Sequence, residues 1–226
     1  MFSSQVKAKY EVQDKEADAA PPTPGMKKDS YYHGTPTKGK AEKIWEEGIL
    51  PDLSSTPEHE ISKPIAGRVY CTKNLSYALM YALGGDMAGK KIVSFLDKYG
   101  QFGYVFVIPG KQLKEIHPDE DEVGKAVYEK KLPWLTKLAD KRLADEEALL
   151  DGVRDGDYES WIKAGKLLLP RLTDEQKIEI IEKYGNIAHE GILHPTEMWQ
   201  IDRNLIPDLK KDGSNFFQLA KKIKSR

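Results

Sequence analysis

From Asp29 onward, short apolar runs of strand character alternate with segments in which apolar residues recur every three or four positions. Ser30-Tyr31-Tyr32-His33 reads as a short aromatic strand that ends in the loop Gly34-Thr35-Pro36-Thr37. Between Lys38 and Glu47, Ala41, Ile44 and Trp45 recur at helical spacing, and Gly48 stands where a C-terminal glycine cap belongs. Residues 51–67, rich in Pro, Ser, Thr and charge, read as a long loop ending at the β-favouring run Arg68-Val69-Tyr70-Cys71. Asn74 can cap the next helix, which puts Leu75, Ala78, Leu79 and Ala82 on one face, Tyr77 and Tyr81 on another, and stops at Gly84-Gly85. Phe102 to Ile108 is a nearly unbroken aromatic and β-branched run, predicted to be central in a sheet and buried on both sides.

Over residues 112–186 the pattern becomes helical, anchored by Trp134, Leu135, Leu138, Leu143, Leu149, Trp161 and Ile162. Thr173 and Gln176 form a capping-box pair for a helix that Gly185 closes. Met198 to Ile201 is the last β-like stretch, introduced by His194-Pro195-Thr196-Glu197, and Phe216, Phe217, Ala220 and Ile223 predict a short terminal helix. Strands that flank a helical insertion argue an α+β fold. Residues 1–28 hold little to bury and carry Pro21-Pro22-Thr23-Pro24, which predicts a disordered tail or linker before one domain over 29–226.

Composition narrows the classes of function. Thirty-five Lys and Arg nearly balance 36 Asp and Glu, for a net charge of −1, so no field of one sign recruits a nucleic acid or an anionic membrane. No apolar run reaches the ~18 residues of a membrane helix, and no signal-peptide core follows the first charges. With the lone Cys71 unable to form a disulfide within the chain, the expectation is a cytoplasmic protein without a membrane partner. The histidines lack a His-Glu-x-x-His arrangement, and the acidic run Asp119-Glu120-Asp121-Glu122 lacks EF-hand spacing, so no metal is expected. That acidic run reads as a solvated turn.

Three separated pieces remain: Tyr32-His33-Gly34-Thr35 at a strand end, Gly67-Arg68-Val69-Tyr70 followed eleven residues later by Tyr81, and Glu197 opening a late strand. In this order they resemble the His-Tyr-Glu class of ADP-ribosyltransferases, which includes diphtheria toxin and the poly(ADP-ribose) polymerases. The resemblance covers residues 29 to about 110 and 187 to about 206. It implies a split, twisted β-sheet with 112–186 as a helical insertion, and NAD+ as co-substrate without a metal. It assigns His33 to a ribose hydroxyl, the Gly34 backbone to the nicotinamide amide, with Thr35 beside it, and Tyr70 and Tyr81 to the nicotinamide ring. Glu197 becomes the catalytic carboxylate, alongside His33 and Tyr70.

The chemistry fits those residue types. Nicotinamide leaves NAD+ as a neutral molecule, so one carboxylate suffices to stabilise the oxocarbenium-like charge on the ribose, and no general acid is required. Aromatic faces suit a flat cationic ring. His189-Glu190 supplies a reserve carboxylate, and Tyr77 a reserve aromatic one turn before Tyr81. Pro195 occupies the position two before Glu197, where arginine-modifying transferases carry a glutamate, and Ala78 stands where the polymerases carry a serine. The acceptor is expected to be a protein; the charge balance leaves a nucleic acid open. Two alternatives stand beside this expectation: an RNA 2′-phosphotransferase of the same fold, and a binding module for NAD+ or ADP-ribose that has lost its chemistry.

Overall fold

The computed structural model describes residues 29–51, 65–84, 96 and 98–226. The tail over 1–28 and most of the loop over 51–67 lie outside the described residues. The chain is α+β, as expected. In order, it forms β1 (Ser30–Thr35), α1 (Lys38–Glu47), β2 (Arg68–Thr72), α2 (Leu75–Leu83), β3 (Phe102–Pro109) and β4 (Ile116–Pro118). Then come the helices α3 (Glu120–Glu129), α4 (Pro133–Arg142), α5 (Glu147–Arg154), α6 (Tyr158–Leu168) and α7 (Asp174–Tyr184). The chain returns through β5 (Asn186–Glu190) and β6 (Glu197–Asp202) to α8 (Phe216–Leu219) and β7 (Lys221–Ser225). No helix among the described residues is long and apolar enough to cross a membrane.

Two compact units divide these elements. One is His117–Ala188, and the other joins the described residues of 20–54 and 65–116 to His189–Arg226. The strand order is β4-β5-β2-β1-β3-β6-β7. Around β3 the register is continuous: Tyr32 opposes Val107 of β3, and Val107 in turn opposes Glu197 of β6. By contrast, β1 and β2 share a single register pair, Tyr32 with Thr72. Side chains of β3 alternate between two cores, as the pleat requires. Val105 and Val107 pack with Tyr32, Leu75, Leu79, Leu83 and Phe216 on one face, while Tyr104 and Phe106 meet Ala41, Met198 and Trp45 on the other.

Helix α2 begins at Asn74, whose side chain accepts from the Ser76 amide, and ends at a left-handed Gly84. Its backbone lies directly on the sheet. A methyl group at Gly34 would stand 1.9 Å from the Ala78 carbonyl oxygen, and one at Gly103 would stand 2.3 Å from that of Ala82. Gly34 therefore has a packing reason for being glycine.

Two sequence expectations are corrected here. The terminal helix over Phe216 to Ile223 stops at Leu219, and Lys221–Ser225 forms β7 because pairing with β6 lets Ile223 join the Phe106 core. Likewise, Asp119-Glu120-Asp121-Glu122 is not a solvated turn but the start of α3. Asp119 caps the helix by accepting from the Asp121 amide, and Glu120 and Glu122 are buried at 3% and 5% exposure. Within the helical unit, α3 and α6 cross at glycines, since a methyl at Gly165 would meet the Glu120 carbonyl at 1.9 Å and one at Gly124 would meet Trp161 at 2.0 Å.

Candidate functional site

His33, Gly34 and Thr35 close β1, and Tyr70 lies in β2 beside it. Past the single backbone register pair, the His33 ring bridges the strands: Nδ1 lies 2.9 Å from the Tyr70 carbonyl oxygen. A carbonyl can only accept, so Nδ1 carries the proton. Burial lowers the His33 pKa, with Lys40 adding to the effect and the Tyr70 carbonyl opposing it, so the ring is neutral at pH 7. A neutral imidazole that donates through Nδ1 keeps a lone pair on Nε2, an acceptor suited to a ligand hydroxyl.

The Tyr70 hydroxyl accepts from the Ile65 amide at 2.9 Å, which folds its ring back over the start of the strand. Two residues earlier on the same side of β2, Arg68 reaches Glu190 at the end of β5, with Nη2 3.3 Å from Oε1. The backbone closes the same junction, where the Gly191 amide donates to the Gly67 carbonyl. His33, Tyr70 and Glu190 thus occupy three consecutive strands, β1, β2 and β5, with the Tyr70 and Arg68 side chains on one face of the sheet and the His33 ring, bonded to the Tyr70 backbone, on the other. The Glu190 side chain is 46% exposed and accessible to a ligand.

Glu197 is elsewhere. Its strand β6 lies two places from β1 and three from β2, about 10 and 14 Å at ordinary strand spacing. It shares a face with Val107, Tyr32 and, through the Tyr32–Thr72 pair, with Tyr70, whereas the side chain of His33, the residue after Tyr32, points to the opposite face. Both of its oxygens are engaged: Lys222 Nζ donates to Oε1 at 2.8 Å and Trp199 Nε1 to Oε2 at 2.9 Å. The expected convergence of Glu197 with His33 and Tyr70 in one cleft is therefore not found; packing in the Trp199 and Phe217 cluster holds this carboxylate instead.

Thr35 is buried at 3% exposure, which withdraws its hydroxyl from a ligand. Tyr81 stands 58% exposed on the last turn of α2, the helix that touches Gly34, while Tyr77 is partly covered. Cys71 is buried, and burial pushes its thiol pKa upward, which makes it a poor nucleophile.

One residue behind the site gave no sequence signal. Arg203, fully buried, donates to the carbonyls of Pro36 at 2.7 Å, Ala82 at 2.9 Å, Gly100 at 2.6 Å and Phe102 at 2.5 Å. It joins the turn after β1, the end of α2 and the start of β3. The α2 carbonyls it binds are those a helix leaves unpaired at its C-terminus. Its guanidinium also lies 5.9 Å from the centre of the Tyr99 ring, and since no periodicity marks a cation held by backbone carbonyls, only the fold exposes it.

In the helical unit, carboxylate oxygens of Asp119, Glu120 and Asp121 lie within 4.8 Å of one another. Burial and mutual repulsion push the Asp119 pKa well up, and burial takes Asp121, which accepts from the Tyr158 hydroxyl at 2.7 Å, to about 6. Asp119 is engaged as the α3 cap and Asp121 as the acceptor for Tyr158.

Comparison of the chain with protein-family models, with curated proteins and with solved structures returns no match.

Proposed function

We propose that the chain is an NAD+-dependent ADP-ribosyltransferase of the His-Tyr-Glu kind, with Glu190 in place of Glu197 as its catalytic carboxylate. The observation that supports this reading is Tyr70 and an accessible Glu190 on the neighbouring strands β2 and β5, with a neutral His33 at the end of β1 bonded from the other face to the Tyr70 backbone. The short β1–β2 ladder, bridged by the His33 ring, favours the split-sheet architecture of that class.

In this scheme His33 Nε2 accepts from a ribose hydroxyl, and the nicotinamide ring lies against Tyr70, with exposed Tyr81 as the second aromatic wall. Glu190 stabilises the positive charge that grows on the ribose as the bond to nicotinamide breaks. The electron pair of that bond leaves with nicotinamide, and a nucleophile of the acceptor, or water, forms the new bond to the ribose carbon. Loss of such a carboxylate costs ~10²–10³ in rate.

Nicotinamide release from NAD+ by the purified chain tests the proposal. Release that disappears in Glu190→Gln and persists in Glu197→Gln supports it. A wild-type chain that binds NAD+ without releasing nicotinamide points to a binding module, and one that neither binds nor cleaves NAD+ refutes the reading.

A further inference from the structure

One buried pair in the helical unit is only half satisfied. Asn186, at the start of β5, donates through Nδ2 to Oε1 of Glu122 in the first turn of α3. The other oxygen of each group, Glu122 Oε2 and Asn186 Oδ1, is buried with no hydrogen-bond partner among the described residues. The two residues are 5% and 7% exposed. Unmatched buried oxygens oppose folding unless something supplies a donor. Turning the amide over gives no relief, because it sets Oδ1 against Oε1 and strands Nδ2.

Neighbouring side chains do not supply that donor. Lys125, the buried cation of α3, lies 3.8 Å from Glu129 Oε1 and over the Tyr184 ring. The Tyr158 hydroxyl donates to Asp121, and the Tyr184 hydroxyl to Glu129. A single proton, held on Oε2 and donated to Oδ1, meets both deficits at once, since a carboxylic acid and a primary amide each offer one donor beside one acceptor. The surroundings favour keeping it: burial above all raises the Glu122 pKa to about 7, with Asp121 and Glu129 adding to the rise and Lys125 and the Asn186 amide opposing it. The charges that act on Glu122 most are thus all on α3, and β5 faces it with a neutral amide.

We infer that Glu122 and Asn186 form a reciprocal acid–amide pair around one retained proton, a latch that ties α3 to the start of β5 and opens when the proton leaves. Deprotonation removes the donated bond and sets a carboxylate oxygen against the amide oxygen, where water does not screen the repulsion. The latch is therefore closed in mildly acidic solution and released as pH rises through about 7. Both residues belong to the unit His117–Ala188, and the inference holds whether or not the chain cleaves NAD+.

Carbon-13 spectra of the full-length chain between pH 5 and 9 test the pair. The Glu122 carboxyl carbon and the Asn186 side-chain carbonyl carbon should titrate together, with one midpoint within about one pH unit of 7. Glu122→Gln, whose amide offers the same donor and acceptor at every pH, should abolish the Asn186 titration. A Glu122 carboxyl already ionised at pH 5 overturns the inference. So does one that titrates while the Asn186 carbonyl stays still, because the proton is then not shared.

Amide hydrogen exchange reads the latch itself. The Asp119 amide donates to the Asn186 carbonyl at 3.3 Å, so its protection reports the junction between α3 and β5. Corrected for intrinsic base catalysis, that protection should fall by about 10-fold between pH 6 and 8 in the wild type and stay level in Glu122→Gln. An equal fall in both chains, or no fall in the wild type, overturns the latch.

Discussion

Replacing Glu197 by glutamine probes the site more sharply than any other single change, because the two late carboxylates then give opposite results. The amide keeps an acceptor for Trp199 Nε1 but removes the charge facing Lys222 at 2.8 Å. A hydrogen bond to a charged group contributes about 1.5–3 kcal/mol, and the 39% exposure of Lys222 lets water recover part of this, so a loss of about 1–2 kcal/mol is expected. For a chain of this size that lowers the melting temperature by about 2–8 °C. Nicotinamide release should stay within about twofold of wild type. Glu190→Gln should do the reverse, with turnover down by about 10² and a stability change below about 1 kcal/mol, since its ion pair is half exposed. Calorimetry and nicotinamide release on the two proteins decide it. A Glu197→Gln variant that melts like wild type and has lost turnover would refute the geometric reasoning.

Three further outcomes follow from named contacts. Tyr81→Ala should weaken NAD+ binding by roughly 1–2 kcal/mol in titration calorimetry without affecting the melt, because the ring is already 58% exposed; unchanged affinity would move its role to Tyr77. Arg203→Lys, which cannot reach the same spread of carbonyls, should cost roughly 3–5 kcal/mol by denaturant midpoint, and a cost under about 1 kcal/mol would mean that water replaces the guanidinium. The third concerns pH. Burial pushes the Glu122 pKa from 4.5 up to about 7, with Asp121 and Glu129 adding to the rise and Lys125 and the Asn186 amide opposing it. The folded state therefore favours the proton, and this group's contribution to stability is greatest below about pH 4.5 and is lost as pH rises through about 7, by roughly 3 kcal/mol in all. Glu122→Gln should flatten the pH dependence of the denaturant midpoint between pH 5 and 8; an unaltered slope would mean that Glu122 is ionised throughout.

Elements whose own residues carry a periodic or capping signal were legible in the sequence. Helix α2 with Asn74 and Gly84 at its ends, the buried strand β3, and α7 with its Thr173 and Gln176 capping box follow from local chemistry. The strands β4, β5 and β7 were not legible, because three residues, or Asn-Ile-Ala-His-Glu, or Lys-Lys-Ile-Lys-Ser, hold no pattern until a neighbour supplies the hydrogen bonds. That gap carried over to the candidate site. The two late carboxylates differ in the same way: Glu197 opens β6, whose Met198 to Ile201 run is β-like by itself, whereas Glu190 closes β5, which carries no pattern of its own. His33 and Tyr70 were placed beside each other by motif order; the tautomer that makes His33 an acceptor depended on a carbonyl 37 residues away.

The carbonyls gathered by Arg203 also bear on how the chain matures during synthesis. The end of α2 is made 120 residues before its cation, and the turn after β1 is made 167 residues before. At about 5–20 residues per second, Leu83 leaves the peptidyl-transferase centre about 6–24 s before Arg203. Until then, the segment bearing His33 and Tyr81 must keep its carbonyls on water, and its frame is provisional. A nascent chain stalled just short of position 203 would hold every residue of the candidate site without the side chain that locks their frame.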